Sequence, residues 1–464
     1  MENNQKDISI LERYVSGEAS SAFWNVATKG VGIINTFFII SALSLYQYGV
    51  FQLFLATYAF SSLFVTAGGG VAVNDIIRFI GEKKEARAKK LFYELNVYRL
   101  IISVILWIIV FFGAPFLSFK YGPDFIIIIK IISFYFLSSF LLKFISNVFL
   151  SRLKFEALAS RIFFEKAIQL GVLVYFFFFG TIGIKEVVLS QLIGQTANIF
   201  ILLPGFFIAY SPWRNIKASK ESIFIPIMLS YGKWAVIRPF IGRSINFIQP
   251  WIIKFFVNTE SVAIFSVAQS MVSLYKGLLP AKTLSTLIPL RIHDREKSQK
   301  MFTLTIKYLT LFSFLTVLAG VITAPVGIYM FFAKYISSLP IFFILILRTP
   351  LLAASLPLSL FITALRKQKF LFYNGLLSTI FTIIFSTILT FLFGIWGMAV
   401  EKILTSAIMF FVSYVYLVKI RPGVEIRWKD IFSFGEEDRV IMNNVYLILL
   451  SFIKKPMDRI RKYI

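Results

Sequence analysis

The chain has 464 residues, of which 58% are hydrophobic and only 15% charged, too few charges for a soluble protein of that length, where about a quarter of residues carry one. Its net charge of +25 would direct a soluble protein to nucleic acid, but the Lys and Arg lie mostly in loops on one side of a series of apolar runs. The charge therefore reads as membrane topology with attraction to anionic lipids, and no nucleic-acid partner is expected.

Cysteine is absent, so disulfides and thiol chemistry are excluded, and the lone His293 in a basic loop gives no basis for a metal or catalytic centre. No cofactor is expected. Mixed charges (Glu2, Lys6, Asp7, Glu12, Arg13, Glu18) precede a first apolar run too long for a signal peptide, which argues against cleavage.

A bilayer core of ~30 Å needs about 20 apolar residues per helix. On that measure about twelve spans are predicted, the first six near 20–44, 47–73, 96–118, 125–150, 159–181 and 185–209. The second six fall near 228–256, 261–289, 303–328, 338–364, 371–393 and 395–419. The first two form a hairpin around Ser44-Leu45-Tyr46-Gln47 with a basic segment after it, and the rest of the chain largely repeats that unit. Thr66-Ala67-Gly68-Gly69-Gly70 lies inside a span, which excludes a phosphate loop and predicts close packing or a bend.

The loops 74–95, 151–158, 210–227, 290–302 and 365–370 are nearly all rich in Lys and Arg, whereas the opposite turns hold little beyond Lys120, Lys185 and Lys334. Both termini are therefore expected on the cytoplasmic side. In the tail, Val440 to Ile453 is too short to span and is flanked by Arg439 and Lys454-Lys455, which suits an interfacial helix.

At an offset of 214 residues the halves match: Phe51 with Phe265, Lys120-Tyr121 with Lys334-Tyr335, Arg152 with Arg366, and Phe179-Gly180-x-x-Gly183 with Phe393-Gly394-x-x-Gly397. The expected fold is thus an all-α polytopic membrane protein of two six-helix bundles related by a parallel pseudo-repeat. Its parts would be an N-terminal bundle at 1–210, a cytoplasmic linker at 211–227, a C-terminal bundle at 228–419 and a basic tail at 420–464.

A mid-membrane Lys or Arg costs roughly 2.5–3.5 kcal/mol, so each requires a reason. In the first span Ser21, Asn25, Lys29, Gly32 and Thr36 form one small-polar stripe, and in the repeat register Lys29 corresponds to Arg243. The seventh span aligns Arg243, Asn246 and Pro250, the eighth Gln269, Ser273, Lys276 and Pro280, and the tenth Arg348, Ser355, Ser359 and Thr363. Lys143 lies on a stripe with Ser139 and Asn147. Several cations with almost no acids suit an anion, and breaks at Pro239, Pro250 or Pro280 would add helix-terminus dipoles. The alternative for each cation is snorkelling to the surface or pairing with helix carbonyls.

Glu401, beside Lys402, is the main intramembrane acid and is read as an ion-coupling site or a paired charge; Asp75 and Arg78 are read as a gate pair or as loop charges.

The chain resembles the polysaccharide and O-antigen flippases of the multidrug/oligosaccharidyl-lipid/polysaccharide exporter superfamily. The residues carrying the resemblance are Tyr48-Gly49-Val50-Phe51, Gly68-Gly69-Gly70, Arg78-Phe79-Ile80-Gly81-Glu82, Arg99, Pro289-Leu290 and Gly394-x-x-Gly397. The resemblance implies two bundles working by alternating access, with no covalent chemistry. The substrate would be an undecaprenyl-pyrophosphate-linked oligosaccharide, an O-antigen or capsule repeat unit, moved from the cytoplasmic to the periplasmic leaflet of a bacterial inner membrane. Polysaccharide polymerase and chain-length proteins are the partners it implies. Lys29 and Arg243 are the positions for its cationic cavity, with Asn25, Asn246, Lys276 and Arg348 alongside. A lipid II-type precursor flippase and a cation-coupled drug exporter remain alternatives, as does an integral-membrane glycosyltransferase or polymerase. The last of these would need acids or a large outer loop.

Overall fold

The computed structural model describes residues 23–121, 124–152, 154–277, 295–365, 367–426, 433 and 435, and among them there is no strand. Nine helices there are long and apolar enough to cross a membrane, which makes the chain a multi-pass all-α membrane protein. The expected tail helix at 440–453 and the eighth-span end with Pro280 lie outside the described residues.

Helix α1 (Phe23–Ala42) ends two residues before Ser44, which caps α2 (Leu45–Thr66). Ser44 Oγ accepts from the Gln47 amide and the Gln47 side chain accepts from the Ser44 amide, so the predicted turn is a reciprocal capping box. Within the second span the chain breaks at Gly68, whose φ of 68° is left-handed, and resumes as α3 (Gly69–Gly81). This is the bend expected from the glycine run.

The basic segment 74–95 is not a loop. After α3 only residues 82–84 leave the helix before α4 (Glu85–Tyr121) begins. Glu, Ala, Arg and Lys are strong helix formers, so helix continues where hydropathy stops. Next come α5 (Asp124–Ser151), α6 (Phe155–Phe179) and α7 (Ile184–Tyr210). After α8 (Phe224–Ile227) and one π-helical turn, α9 (Lys233–Phe256) runs unbroken through Pro239 and Pro250. Those two prolines therefore supply no broken-helix ends, because a helix packed among neighbours tolerates a missing amide donor.

The remaining helices are α10 (Thr259–Lys276), α11 (Arg295–Phe331), α12 (Ser338–Ile346), α13 (Arg348–Ala364) and α14 (Gln368–Ile420). The tenth span is interrupted at Leu347, and α14, at 53 residues, is two spans' worth of helix kinked at Gly394, where φ is 58°.

The chain divides into two compact units, one of 1–270, 324–342 and 375–401 and another of 271–323, 343–374 and 402–464. In the first, α3, α4, α5 and α7 share a core around Ile76, Leu91, Phe92, Val148 and Trp213. Helix α9 packs on α2 through the stacked rings of Phe60 and Phe247, 4.7 Å apart, and Trp251 donates to Thr57 at 3.2 Å. Lys334 donates to the carbonyls of Ser41 and Leu43, both at 2.6 Å, closing the C-terminal end of α1. The second unit has its own core of Phe302, Ile306, Leu358, Phe361 and Leu417.

Candidate functional site

Helix α1 packs against α6 along one face: Trp24 meets Phe163 at 5.1 Å, and Asn35 donates to the Lys166 carbonyl at 2.8 Å. Asn25 and Lys29 lie on a neighbouring stripe and are exposed, with Thr36 Oγ1 bonded back to Gly32. On α9, Arg243 and Asn246 are likewise exposed.

The charge that gathers its neighbours is Lys143 on α5. Arg99 of α4, Arg161 of α6 and Arg243 of α9 all act on it electrostatically, while Lys29 is not among them. Thus Arg243 is one of three arginines, each on a different helix of one compact unit, whose charge reaches Lys143. Arg161 has an acid, Glu165, at 3.8 Å one turn along its own helix. Lys143 has no hydrogen bond or ion pair among the described residues. Arg99 is 4% exposed, and its Nε and one terminal nitrogen are buried without a hydrogen-bond partner. A side chain at Gly69 would collide with the other terminal nitrogen, 1.8 Å from the Cβ position.

Neither Arg99 nor Arg161 is marked for this site by any sequence pattern. Arg99 stood at the edge of the predicted third span, but because α4 starts at Glu85 it is several turns into the helix and buried.

In the second unit Arg348 stands at the first position of α13, donates to Ser406 at 2.6 Å, and acts on the charge of Lys276 in the last turn of α10. Leu347 just before it keeps helical dihedrals (φ −61°, ψ −18°), so there is no free helix end here, and it is the guanidinium together with the Lys276 charge that favours an incoming anion.

Glu401 is fully buried and accepts from Gln249 Nε2 at 3.1 Å, between α14 and α9 of the first unit. Asp75 and Arg78 form an ion pair at 3.1 Å, but both belong to one turn of α3, and Arg78 also reaches Glu82 at 3.7 Å. Among the described residues no group of three or more His, Cys, Asp or Glu is placed to hold a metal ion.

The fold is found in known transporters. A structure titled "Lipid II flippase MurJ, inward closed conformation" matches with a TM-score of 0.67 at 13% identity, covering 96% of this chain and 99% of that one. An inward-facing multidrug resistance MATE family transporter of the MOP superfamily matches with a TM-score of 0.65 at 15% identity, over 86% and 95% of the two chains. The outward-facing conformation of a multidrug resistance MATE family transporter of that superfamily gives 0.56 at 15% identity, over 88% and 96%. No curated protein matches. The family model described as "Polysaccharide biosynthesis protein" matches residues 15–293, more than half of the chain. With the all-α transporter fold, that match makes this chain a member of the polysaccharide biosynthesis protein family.

Proposed function

We propose that the chain is a flippase for an undecaprenyl-pyrophosphate-linked oligosaccharide, an O-antigen or capsule repeat unit. It would carry that molecule from the cytoplasmic to the periplasmic leaflet of a bacterial inner membrane. The observation that carries the reading is the group of Arg99, Lys143, Arg161 and Arg243, which offers four cations and one carboxylate within a membrane-spanning unit. Such an excess is costly unless an anion completes it, and a pyrophosphate brings several negative charges on a compact group. Lys29, Asn25 and Asn246, all exposed, are the further contacts proposed here, and Arg348 with Lys276 is a second anion-favouring point.

In this reading twelve spans form two six-helix halves that alternate access, both termini are cytoplasmic, and no covalent bond is made. Glu401 is the candidate for ion coupling and the Asp75–Arg78 pair for a gate element. The substrate's lipid tail stays in the bilayer, and polymerase and chain-length proteins act downstream.

The test is surface polysaccharide in a strain lacking its own copy. Restoration by the wild type and at least a tenfold loss with Lys143→Met plus Arg243→Ala is expected. Full polysaccharide with the double variant overturns the cation role, and no restoration by the wild type overturns the substrate. Likeness in fold to a lipid II flippase supports one second reading, a peptidoglycan precursor as cargo. Rescue of viability in cells depleted of lipid II flipping, without rescue of polysaccharide, would favour it.

A further inference from the structure

A separate cavity of about 250 Å³ lies inside the first unit, between α2, α5, α6 and α7. Its walls follow helical spacing. Phe51, Phe54 and Tyr58 line it from one face of α2, while Glu165 and Gln169 lie one turn apart on α6. Gln191 and Gln195 do the same on α7, and Tyr135 of α5 closes the ring.

The polar groups are held ready from behind. Tyr135 Oη shares its single proton between the Val188 carbonyl at 2.6 Å and the Gln191 amide oxygen at 3.0 Å. Ser138 donates to the Gln195 amide oxygen at 2.8 Å, and Lys166 to that of Gln169 at 2.9 Å. The NH₂ groups of Gln169 and Gln191 have no hydrogen bond among the described residues. A ligand therefore meets amide donors, phenolic oxygens, the Glu165 carboxylate with the Lys166 ammonium on the same helix, and an aromatic wall.

A bound cation would need converging oxygens and surplus negative charge. Here the amide oxygens are engaged, and the one carboxylate already faces Arg161 at 3.8 Å and the charge of Lys166. Hydroxyl groups, which both donate and accept, fit this mixture, and rings stack on aromatic faces. The volume falls below the ~300–1,000 Å³ of sites for drug-sized ligands, which suits one ring.

We infer that this cavity is a subsite for a single neutral sugar unit, adjoining the anion-binding group through Glu165 and resting on the reading of the cargo as a lipid-linked oligosaccharide. The experiment uses the full chain in lipid nanodiscs and saturation-transfer NMR with the methyl glycosides of glucose, galactose, mannose and N-acetylglucosamine. At least one glycoside is expected to bind saturably. Gln191→Leu and the cavity-filling Ile132→Phe should each weaken it at least tenfold, with thermal midpoint and inorganic pyrophosphate binding unchanged. No binding by any of the four, binding that survives both variants, or a sodium-ion response in place of a glycoside response overturns the subsite. The two readings fail separately. Lost pyrophosphate binding with glycoside binding intact counts against the anion site, whereas polysaccharide export that depends on the chain but ignores both variants counts against the subsite alone.

Discussion

Two sets of cations in the first compact unit are handled in opposite ways. At the basic end of α4 each has an oxygen to point at. Arg152 donates to both oxygens of Glu85 at 3.1 and 3.4 Å, Lys89 donates to the carbonyls of Trp213 and Ile216, and Arg87 reaches Glu221 at 2.6 Å. Trp213 Nε1 also donates to Glu85, and the Arg152 guanidinium lies 4.9 Å over its ring. A few turns along the same helix, Arg99 is more deeply buried with two nitrogens unpaired, and its neighbour Lys143 has no acid among the described residues. The first set fastens residues 211–227 to α4. In the second set Arg161 has Glu165, but Arg99 and Lys143 have no carboxylate partner among the described residues, which is the pattern expected where a ligand supplies the missing charge.

Glu85→Ala should cost most, about 2–3 kcal/mol, because it leaves the largely buried guanidinium of Arg152 and the fully buried Trp213 indole without their acceptor. A fall in the thermal midpoint of the purified protein measures it; an unchanged midpoint would make the α4 set as dispensable to the fold as the other. Glu94 accepts from the amides of Ile223 and Phe224 at 2.9 and 2.8 Å and so starts the helical segment leading into α9. Glu94→Gln keeps the shape but loses the charge at a helix start, and about 1 kcal/mol is expected. Lys143→Met is the counterpart: neutral, or stabilising by about 1 kcal/mol, because it removes a cation from among three others while keeping the stem. If that variant unfolds as readily as Glu85→Ala, the division between structural and ligand-directed cations is wrong.

What the sequence could disclose follows the same division. Membrane spans are legible because apolar run length is a one-dimensional property, and the turn at Ser44 was marked by Gln47 three residues on. Helix in the charged stretch 85–95 was hidden, since hydropathy is blind to helix formers that are polar. The prolines at 239 and 250 misled for the opposite reason: their local cost is absorbed by packing of α9 that no local pattern reveals. Of the candidate site, Arg243 and Lys143 were visible as charges on polar stripes. Their grouping with Arg99 and Arg161 depends on which helices become neighbours, as does the cavity shared by Tyr58, Tyr135, Glu165 and Gln191.

The smallest effect belongs to the exposed turn between α3 and α4, where charges are paired but lie in water. The Glu82 carboxyl is held below the usual carboxylate range, chiefly by the hydrogen bond from Lys84, with the charges of Lys84, Arg78 and Arg87 acting in the same sense. A carboxyl lowered in the folded state adds stability above its unfolded value, near 4.5, and loses it as pH falls through the folded one. Glu82→Gln should therefore lower the thermal midpoint slightly at neutral pH, by less than any other destabilising substitution here, and the difference from wild type should close as pH falls through the lowered value of the folded state. Added salt should close it at neutral pH as well, since solvent screens an exposed pair. A gap that persists in acid or in salt would mean that Glu82 acts through packing, and the turn would then belong with the fastened set around Glu85.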